Sequence, residues 1–482
     1  MKYSLTHILT SLTTPVVATA FFAMAATAPA LALAAAPTLS AIEAAPAGLT
    51  IEGETAIVSG KIDVRDLISL KEQSQAPVTL DLRQADIEEY MAAKPVYAGR
   101  RFFTRNALPA YIFFQAPYNN VLLPENVKTI EAGAFADSQL KSIVIPEGVE
   151  SIGDYAFYNC PKLEDVVLPS TLRVIGKGAF AKCPMLEEVD MRASAVATLP
   201  ERCFAESGRL CALYLPASLA TIGREALTGT AIDNLELQQI KVFAPYALAG
   251  MPELQSVSLN PQSSYGEGTL MNCPRLTRIV GAPDNMPSLY AANCLSLDPT
   301  DAMSSTSATL GSYAFANNTV SEMVLGKGLT SVGPGAFAGM TALKSIGAES
   351  LAADIPAVEP DSFEGIIPSD VLLMVDHKAL DAWRSHPVWG QFNVQSRITV
   401  KVDEIADSLD SDIRIYVADG YVRVEAAEPI EGAALYSLDG QLLTTMPTGA
   451  TTSEASLADS SENIIIAVVK TASTRKSAKL IK

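Results

Sequence analysis

The sequence repeats one apolar pattern about every 23 residues, and this repeat constrains the fold more than any other feature. One clear copy has its repeated positions at Leu140, Ile143, Ile145, Pro146, Val149, Ile152, Gly153, Ala156, Phe157 and Cys160. The next copy has Leu163, Val166, Leu168, Pro169, Leu172, Ile175, Gly176, Ala179, Phe180 and Cys183. A single unit of this length cannot bury its own apolar side, so the copies must stack on one another. The sequence therefore predicts a repeat solenoid.

Each copy is marked by an apolar residue near its end. The eleven marks are Phe135, Phe157, Phe180, Phe204, Leu227, Leu248, Leu270, Ala291, Phe315, Phe337 and Phe363. The first half of a unit, L-x-x-I-x-L, alternates like a short strand, and the proline after it ends the strand. The second half spaces its apolar residues by three or four, which predicts a turn or a short helix. The stretch Asp298–Thr309 indicates an irregular insertion.

This pattern resembles the BspA-like leucine-rich repeats of secreted bacterial proteins, whose unit reads L-x-x-I-x-L-P-x-x-L-x-x-I-G-x-x-A-F-x-x-C. The match is closest from Val121 to about Val189 and from Val320 to Ile346. The stretch Val371–Phe392 is similar to the tryptophan-bearing segment that closes such arrays. The stretches Thr79–Tyr90 and Leu108–Tyr111 resemble the leading cap of related surface proteins. The resemblance implies adhesion to host matrix proteins or to neighbouring bacteria.

The tail has the period-two pattern of β-strands. Alternating runs occur at Ile413–Val417, Tyr421–Val424, Ala433–Tyr436 and Ile464–Val469, and the Asp-Gly pairs at 419–420 and 439–440 are hairpin signals. These runs predict a small antiparallel β-sandwich. The strings Leu435–Gln441 and Lys479–Lys482 resemble the C-terminal sorting domain of type IX secretion. A plain accessory β-domain is the alternative interpretation.

The N-terminus has the pattern of a secretory leader. Lys2 precedes a long apolar run, and Ala32-Leu33-Ala34 fits the small-x-small cleavage rule. We therefore expect an exported protein, secreted or on the outer cell surface, with no transmembrane segment after cleavage. A membrane anchor is the alternative, because the run is nearly long enough to span a bilayer.

These patterns together predict the domain organisation of the 482-residue chain. We expect a signal peptide at residues 1–34, an N-terminal cap region at 35–117, a leucine-rich repeat solenoid at 118–370, its C-terminal cap at 371–397, a linker at 398–412 and the β-sandwich at 413–482.

Composition excludes several classes of function. Acidic residues outnumber basic ones 53 to 35, giving a formal charge of −18, so we expect no nucleic-acid partner. The three histidines are His7, in the leader, and His377 and His386, in the closing segment. No nucleophile–base or metal-binding motif accompanies them, so we expect no catalytic residue, no metal and no cofactor.

Four of the six cysteines, Cys160, Cys183, Cys273 and Cys294, share one repeat position. This predicts a ladder of buried free thiols, because free cysteine behaves as a small apolar residue. A disulfide between Cys160 and Cys183 is the alternative. Cys203 also falls at an internal position, whereas Cys211 falls on the outward side of a strand and is a candidate for exposure or for pairing with Cys203.

The outward strand positions supply the candidate partner-binding residues. Successive copies place there Glu164, Asp165, Glu187, Glu188, Asp190, Tyr214, Asp233 and Glu236. An acidic column with an aromatic residue at its middle suits a basic or polar partner, with tyrosine as the anchor. The alternative is a solvated sheet whose charges serve only solubility.

The sequence thus favours a non-enzymatic surface protein that binds other proteins through an extended sheet face, as solenoids do. The alternative function is glycan binding in support of polysaccharide uptake. That function calls for aromatic platforms, and the outward strand positions offer mainly Tyr214.

Overall fold

A computed structural model describes residues 48–71, 78–303, 309–348, 354–376, 378–397, 413–418, 421–437, 442–456, 464–473 and 475–481. The expected leader, the expected linker and His377 lie outside these residues. The chain divides into two compact units, Met1–Pro274 and Arg275–Lys482, which are described separately below.

In its described residues, the first unit has one helix, α1 (Val64–Lys71), two longer strands near the start and strands of two or three residues in the repeats. Its strands are β1 (Leu49–Glu52), β2 (Thr55–Ile62), β3 (Thr79–Ile87), β4 (Tyr90–Met91), β5 (Phe102–Phe103), β6 (Ala107–Leu108), β7 (Asn120–Leu122), β8 (Thr129–Ile130), β9 (Ser142–Val144), β10 (Ser151–Ile152), β11 (Asp165–Val167), β12 (Val174–Ile175), β13 (Glu188–Asp190), β14 (Thr198–Leu199), β15 (Ala212–Tyr214), β16 (Thr221–Ile222), β17 (Asn234–Glu236), β18 (Val242–Phe243), β19 (Ser256–Ser258) and β20 (Ser264–Tyr265).

Each coil of the repeat contributes two strands to two parallel ladders. The first strands of successive coils pair within the sheets β7-β9-β11, β13-β15 and β17-β19, as β9 does with β11, where Ile143 faces Val166. The second strand does the same, as β10 does with β12, where Ile152 faces Ile175. This is the predicted leucine-rich repeat solenoid with short parallel strands, and the fold class is confirmed.

The first ladder continues upstream of the clear repeats. Strand β3 pairs in parallel with β7 and with β2, and β1 closes the edge as an antiparallel strand. Helix α1 buries four apolar side chains, those of Val64, Leu67, Ile68 and Leu70. The boundary between cap and solenoid at residue 118 stays a prediction.

The repeated apolar residues fill the inside of the coils. In the copy that begins at Leu140, the eight apolar positions from Leu140 to Cys160 are each at most 2% exposed. The phenylalanines form a column in which Phe113, Phe135, Phe157, Phe180 and Phe204 stack at ring-centroid distances of 5.2, 5.2, 5.1 and 5.5 Å. Offset stacking at such distances adds to the burial energy.

The close approach of neighbouring coils requires the glycine of the I-G pair. The Gly153 N–H donates to the carbonyl of Ile130 in the preceding coil at 2.7 Å. A Cβ atom at Gly153 would lie 2.6 Å from the Ala132 nitrogen, closer than real side chains come. Any larger residue would push the coils apart.

The second half of each unit differs in part from the expectation. It forms the second strand followed by a turn, and the short helix considered for it is absent from Leu140–Pro274. No helix forms there because the backbone groups make hydrogen bonds between coils. The Phe157 N–H, for example, donates to the carbonyl of Ala179 at 2.8 Å rather than to a residue of its own turn.

The cysteine position is a hydrogen-bonding position as well as an apolar one. All six cysteines are free, and Cys160, Cys183, Cys203, Cys273 and Cys294 are buried. The Sγ atoms of Cys160 and Cys183 lie 3.2 and 3.1 Å from the carbonyl oxygens of Phe135 and Phe157, to which they donate. Ser207 Oγ donates in the same way to the Phe180 carbonyl at 2.8 Å. The ladder of free thiols is confirmed, and neither disulfide considered is formed.

The second unit begins with further coils. Their strands are β21 (Arg278–Val280), β22 (Asn285–Met286), β23 (Thr309–Leu310), β24 (Glu322–Leu325), β25 (Ser331–Val332), β26 (Ser345–Ala348), β27 (Ala357–Val358), β28 (Leu372–Asp376) and β29 (Asn393–Arg397). Two helices, α2 (Pro299–Ala302) and α3 (Leu380–Ser385), and two 3₁₀ turns, Pro368–Asp370 and Trp389–Gln391, interrupt them. Parallel sheets β22-β23-β25-β27 and β24-β26-β28-β29 result. Helix α2 occupies the predicted insertion.

Two buried tryptophans close these coils. Trp383 and Trp389 are fully buried, with ring centroids 5.4 Å apart, and Trp389 packs edge-on against Phe363, the last marker of the repeat. The Trp389 indole N–H donates to the carbonyl of Pro356 at 3.0 Å. They cover the apolar end that a further coil would otherwise have to bury.

The tail forms two antiparallel sheets from strands β30 (Ile413–Ala418), β31 (Tyr421–Ala426), β32 (Ile430–Tyr436), β33 (Leu442–Thr445), β34 (Thr452–Ser456), β35 (Ile464–Thr471) and β36 (Arg475–Ile481). The sheets are β30-β31-β34 and β33-β32-β35-β36. Residues of both, such as Val424 and Leu435, share one apolar core, which fits the predicted small β-sandwich. The two hairpins form, although their Asp-Gly turns lie outside the described residues.

We predict that the phenylalanine column sets the stability of the first unit. The substitution Phe157→Ala removes a fully buried ring and should lower the free energy of unfolding by about 3–5 kcal/mol. Phe157→Leu, which copies the residue at Leu227 and Leu248, should cost about 1 kcal/mol. Urea unfolding followed by circular dichroism measures both. Equal losses for the two variants would contradict the column, and Val167→Ala, at a 54% exposed position, is the control.

Candidate functional site

The candidate site is the outward side of the first strands of the first unit. We call the outward residues of β7, β9, β11, β13, β15, β17 and β19, together with the residue before each strand, the first-strand face. Parallel pairing holds equivalent residues of neighbouring coils about 4.8 Å apart within β7-β9-β11, within β13-β15 and within β17-β19. Side chains at the same repeat position therefore form a column within each of these sheets.

All eight sequence-predicted residues lie on this face and are exposed. Glu164, Glu187 and Asp233 precede strands β11, β13 and β17. Asp165 and Glu188 begin β11 and β13, and Asp190, Tyr214 and Glu236 end β13, β15 and β17. Their common placement is what a shared surface requires, and a role in binding stays a prediction.

Two arginines that the sequence analysis did not consider neutralise part of the acidic column. Arg209 forms an ion pair with Glu187. Arg192 forms a forked pair with Asp190, with its Nη2 2.6 Å and its Nε 3.0 Å from the two carboxylate oxygens. The guanidinium of Arg192, donating to the carboxylate, lowers the pKa of Asp190 below its ordinary value. The paired carboxylates are therefore less available to a partner than their exposure suggests.

The pairing of Asp190 with Arg192 follows a signal present in the sequence. Asp190 ends β13 and Arg192 lies in the turn that follows, where the Arg192 N–H donates to Asp190 Oδ1 at 2.9 Å, so the turn brings the two charges together. The same forked pair forms at Asp63-x-Arg65 and at Asp81-x-Arg83. A search for this tripeptide would have shown that one predicted site residue is already partnered.

Tyr214, the predicted anchor, is 40% exposed, and a cation covers part of its ring. Asp190 and Tyr214 are register partners on adjacent strands, and the Arg192 guanidinium lies 4.5 Å from the tyrosine ring centroid. A partner that uses this ring must share it with Arg192 or displace it.

The carboxylates of Glu164 and Asp165 remain unpaired. Within the described part of the chain, neither side chain has a hydrogen-bond or ion-pair partner. Together with Glu187, Glu188, Arg209 and Cys211 they line a shallow depression of about 540 Å³. Two adjacent unpaired carboxylates therefore lie at this depression.

An exposed apolar pair borders these carboxylates. Val144 and Val167 are register partners on β9 and β11 and are 57% and 54% exposed. Val167 lies two residues beyond Asp165 on the same side of β11, about 7 Å away along the strand. The period-two alternation of the strands places Val144 and Val167 on the outward side, and this is the sequence signal from which they could be predicted.

Glu236 is held by neutral partners. Hydrogen bonds from Ser258 and from Gln238, whose Nε2 lies 2.8 Å from the carboxylate, lower the pKa of Glu236. It stays ionised to lower pH than an ordinary glutamate and carries its charge on the face.

The remaining candidates lie apart from this face. His386 ends helix α3, where its Nδ1 accepts the N–H of Trp389 at 3.3 Å and burial lowers its pKa. Cys211 is exposed at the edge of the depression. In the ranges that the structure describes, no group of three or more His, Cys, Asp or Glu side chains is placed to hold a metal ion, and no helix is long and apolar enough to cross a bilayer.

Comparisons with known proteins agree with the repeat architecture. The family profile described as "BspA type Leucine rich repeat region" matches the chain in six copies over residues 106–210, 192–297 and 308–366, more than half of its length. No curated protein matches the chain.

Several solved structures are similar to the chain. A leucine-rich repeat protein from Bacteroides ovatus aligns with a TM-score of 0.50 at 20% identity, over 74% of this chain and 99% of that chain. At this identity the similarity shows the fold alone. The pneumococcal vaccine antigen PcpA aligns at 16% identity and a TM-score of 0.36, over 73% and 96% of the two chains. A leucine-rich cell surface protein from Faecalibacterium prausnitzii aligns at 17% and 0.33, over 74% and 95%.

We predict that Arg192 controls the ionisation of Asp190. In Arg192→Ala the carboxylate loses its charged donor, so its pKa should rise towards the ordinary value of about 3.9. Carboxyl-carbon NMR titration of both proteins measures the shift. Arg209→Ala, which removes a cation paired with a different carboxylate, should leave the Asp190 titration unchanged; an equal rise there would show that the effect is general.

We also predict that one cysteine reacts in the native protein. Burial raises the pKa of the Cys183 and Cys203 thiols, which suppresses their reactive thiolates, whereas Cys211 is exposed. Iodoacetamide at neutral pH should modify Cys211 first, and the other five only after denaturation. Peptide mass spectrometry identifies the sites, and rapid native labelling of Cys160 or Cys183 would contradict the closed coils.

Proposed function

Because the chain belongs to the BspA-type leucine-rich repeat family, we propose that it binds a protein partner through the first-strand face and catalyses no reaction. The observation that carries this proposal is the unpaired carboxylates of Glu164 and Asp165 beside the exposed Val144–Val167 pair. Such a combination offers both a charge to satisfy and apolar surface to bury.

Charge complementarity favours a basic partner. The chain carries a net charge of −18, which attracts basic proteins from a distance and repels acidic ones. Glu188 extends the carboxylate group onto the next coil, and its neighbour Glu187 is already paired with Arg209. Lysine or arginine side chains of the partner would meet Glu164, Asp165 and Glu188.

The apolar residues supply the rest of the binding energy. Desolvated apolar and aromatic contacts usually dominate protein interfaces, while exposed ion pairs contribute less. Val144 and Val167 form the apolar centre, and Tyr214 with Arg192 above it forms an aromatic and cationic edge. A partner with acidic residues at that edge would bind Arg192 in place of Tyr214.

Adhesion is the biological role that we propose for this binding, to host matrix proteins or to neighbouring bacteria. It requires export, and we propose that residues 1–34 direct it and that the mature protein is secreted or held on the outer cell surface. We further propose that the C-terminal β-sandwich acts as a sorting domain of the type IX kind. Intact-mass measurement of surface-released protein tests both cleavage near Ala34 and removal of the tail.

We predict that neutralising the unpaired carboxylates weakens binding. Wild type and the variant Glu164→Gln/Asp165→Asn/Glu188→Gln are compared on an array of extracellular-matrix proteins at several salt concentrations. The variant should bind the matrix proteins that wild type retains at least about tenfold more weakly, with a smaller salt dependence. Surface plasmon resonance then separates the association rate, which should fall most.

The matched control changes the same number of charges elsewhere. Glu89, Glu125 and Glu150 are exposed and lie off the first-strand face, so Glu89→Gln/Glu125→Gln/Glu150→Gln should bind like wild type. An equal loss in the control would reduce the effect to net charge. Failure of wild type to bind any matrix protein would overturn the adhesive role.

A further inference from the structure

A second row of aromatic side chains lies in the turns that follow the second strands of the first unit. The residue two positions before the column phenylalanine has a positive φ in successive coils, and it alternates between tyrosine and glycine. Tyr111 (59°) precedes Gly133 (61°), and Tyr155 (56°) precedes Gly178 (57°). A Cβ at either glycine would meet the ring of the preceding tyrosine at 2.2 or 2.6 Å. Each tyrosine ring therefore lies against the glycine of the next coil.

The positive φ of Tyr111 and Tyr155 has a conformational cost. A bulky residue at positive φ is strained, whereas glycine adopts this conformation freely. The fold does not require an aromatic ring here, because Arg202 and Glu225 occupy the same turn position in later coils at φ values of 55° and 52°. The rings are half-buried and contribute surface rather than core.

Two aromatic pairs result, and together they cover four successive coils. Tyr111 packs edge-on against Phe114 at 6.4 Å, and Tyr155 packs edge-on against Tyr158 at 5.7 Å. Each tyrosine ring also lies over the glycine of the next coil, Gly133 or Gly178. We call Tyr111, Phe114, Tyr155 and Tyr158 the aromatic strip.

The strip is open to a ligand at Tyr111 and Tyr155, whose rings are half-buried. Tyr246 has the same turn position and lies against Gly268, but the Arg224 guanidinium covers its ring at 4.8 Å. Lysine ammonium groups also lie over the other two rings of the strip, Lys71 at 5.7 Å from the Phe114 centroid and Lys182 at 5.6 Å from the Tyr158 centroid, whereas no cation in the described ranges lies over Tyr111 or Tyr155. The neighbouring Asn159 donates a hydrogen bond to Asp137, and this pair presents polar groups beside the rings.

We propose that the aromatic strip binds a linear polysaccharide. The C–H face of a pyranose ring is apolar and stacks on an aromatic ring, while its hydroxyls need polar partners at the rim, a combination that tyrosine supplies. Successive sugars of an extended chain would meet successive rings along the coils. The strip shares no residue with the first-strand face, so this binding is independent of the protein partner.

A proline-rich peptide is the competing ligand, because it also binds aromatic surfaces. Such peptides dock in grooves between aromatic side chains. Here the tyrosine rings themselves fill the space over Gly133 and Gly178, so that space is not free to receive a proline ring. The geometry therefore favours the polysaccharide.

The test is native affinity electrophoresis of the full-length chain in gels containing β-glucan, xylan, mannan or starch. Wild type should be retarded by at least one of these polymers. The variant Tyr111→Gly/Tyr155→Gly carries the residue that neighbouring coils use, so it keeps a relaxed backbone, and it should lose at least about tenfold in affinity. Tyr111→Phe/Tyr155→Phe keeps the rings and should retain binding. Thermal unfolding confirms that each variant is folded.

The matched control is Tyr246→Gly, at the same turn position but with a ring that Arg224 already covers. It should bind polysaccharide like wild type, and so should Glu164→Gln/Asp165→Asn/Glu188→Gln. The proposal is overturned if no polymer retards wild type, if the folded double glycine variant binds as well as wild type, or if Tyr246→Gly weakens binding equally. Strip-dependent binding of a polyproline peptide in place of the polymers would also overturn it.

Discussion

The contact between one coil and the next carries this structure, because no coil has a closed interior of its own. Backbone groups that a helix would satisfy locally are satisfied across coils, as when Gly153 N–H donates to the Ile130 carbonyl. The buried phenylalanine column runs through the same contact. The tight spacing explains why glycine, cysteine or serine, and phenylalanine recur at fixed positions: each either permits the close approach or uses it.

The same stacking does not depend on the outward side chains. Side chains on the first-strand face and in the turns make few contacts with the core, so their identity is set by solubility and binding. Charge pairs such as Asp190–Arg192 and apolar neighbours such as Val144 and Val167 are therefore aligned without any covalent or metal constraint. An array of this kind presents chemically different surfaces on its different sides.

The sequence predicted the buried features well because burial repeats with the coil. The positions of Phe157, Cys183 and their equivalents followed from periodicity alone, and so did four strands of the tail, β30, β31, β32 and β35, whereas β33, β34 and β36 were not predicted. The second strand of each coil was harder, since two residues are too few to show alternation. Site residues were placed on the correct side, but their partners were not foreseen: Arg209 reaches Glu187 from the next coil, a contact that only the register between coils reveals. The aromatic strip was missed because tyrosine in a turn has no periodic signature of its own.

The equivalence of register from coil to coil has a consequence for how such chains vary. Val166 faces Ile143 in one pair of strands, and Val257 faces Leu235 in another, so these two junctions are alike in kind. Duplication or deletion of one whole unit preserves all flanking junctions, whereas an insertion of a few residues inside a strand destroys one. The number of coils can therefore change by whole units during evolution. Each coil that remains keeps the same side chains on its surface.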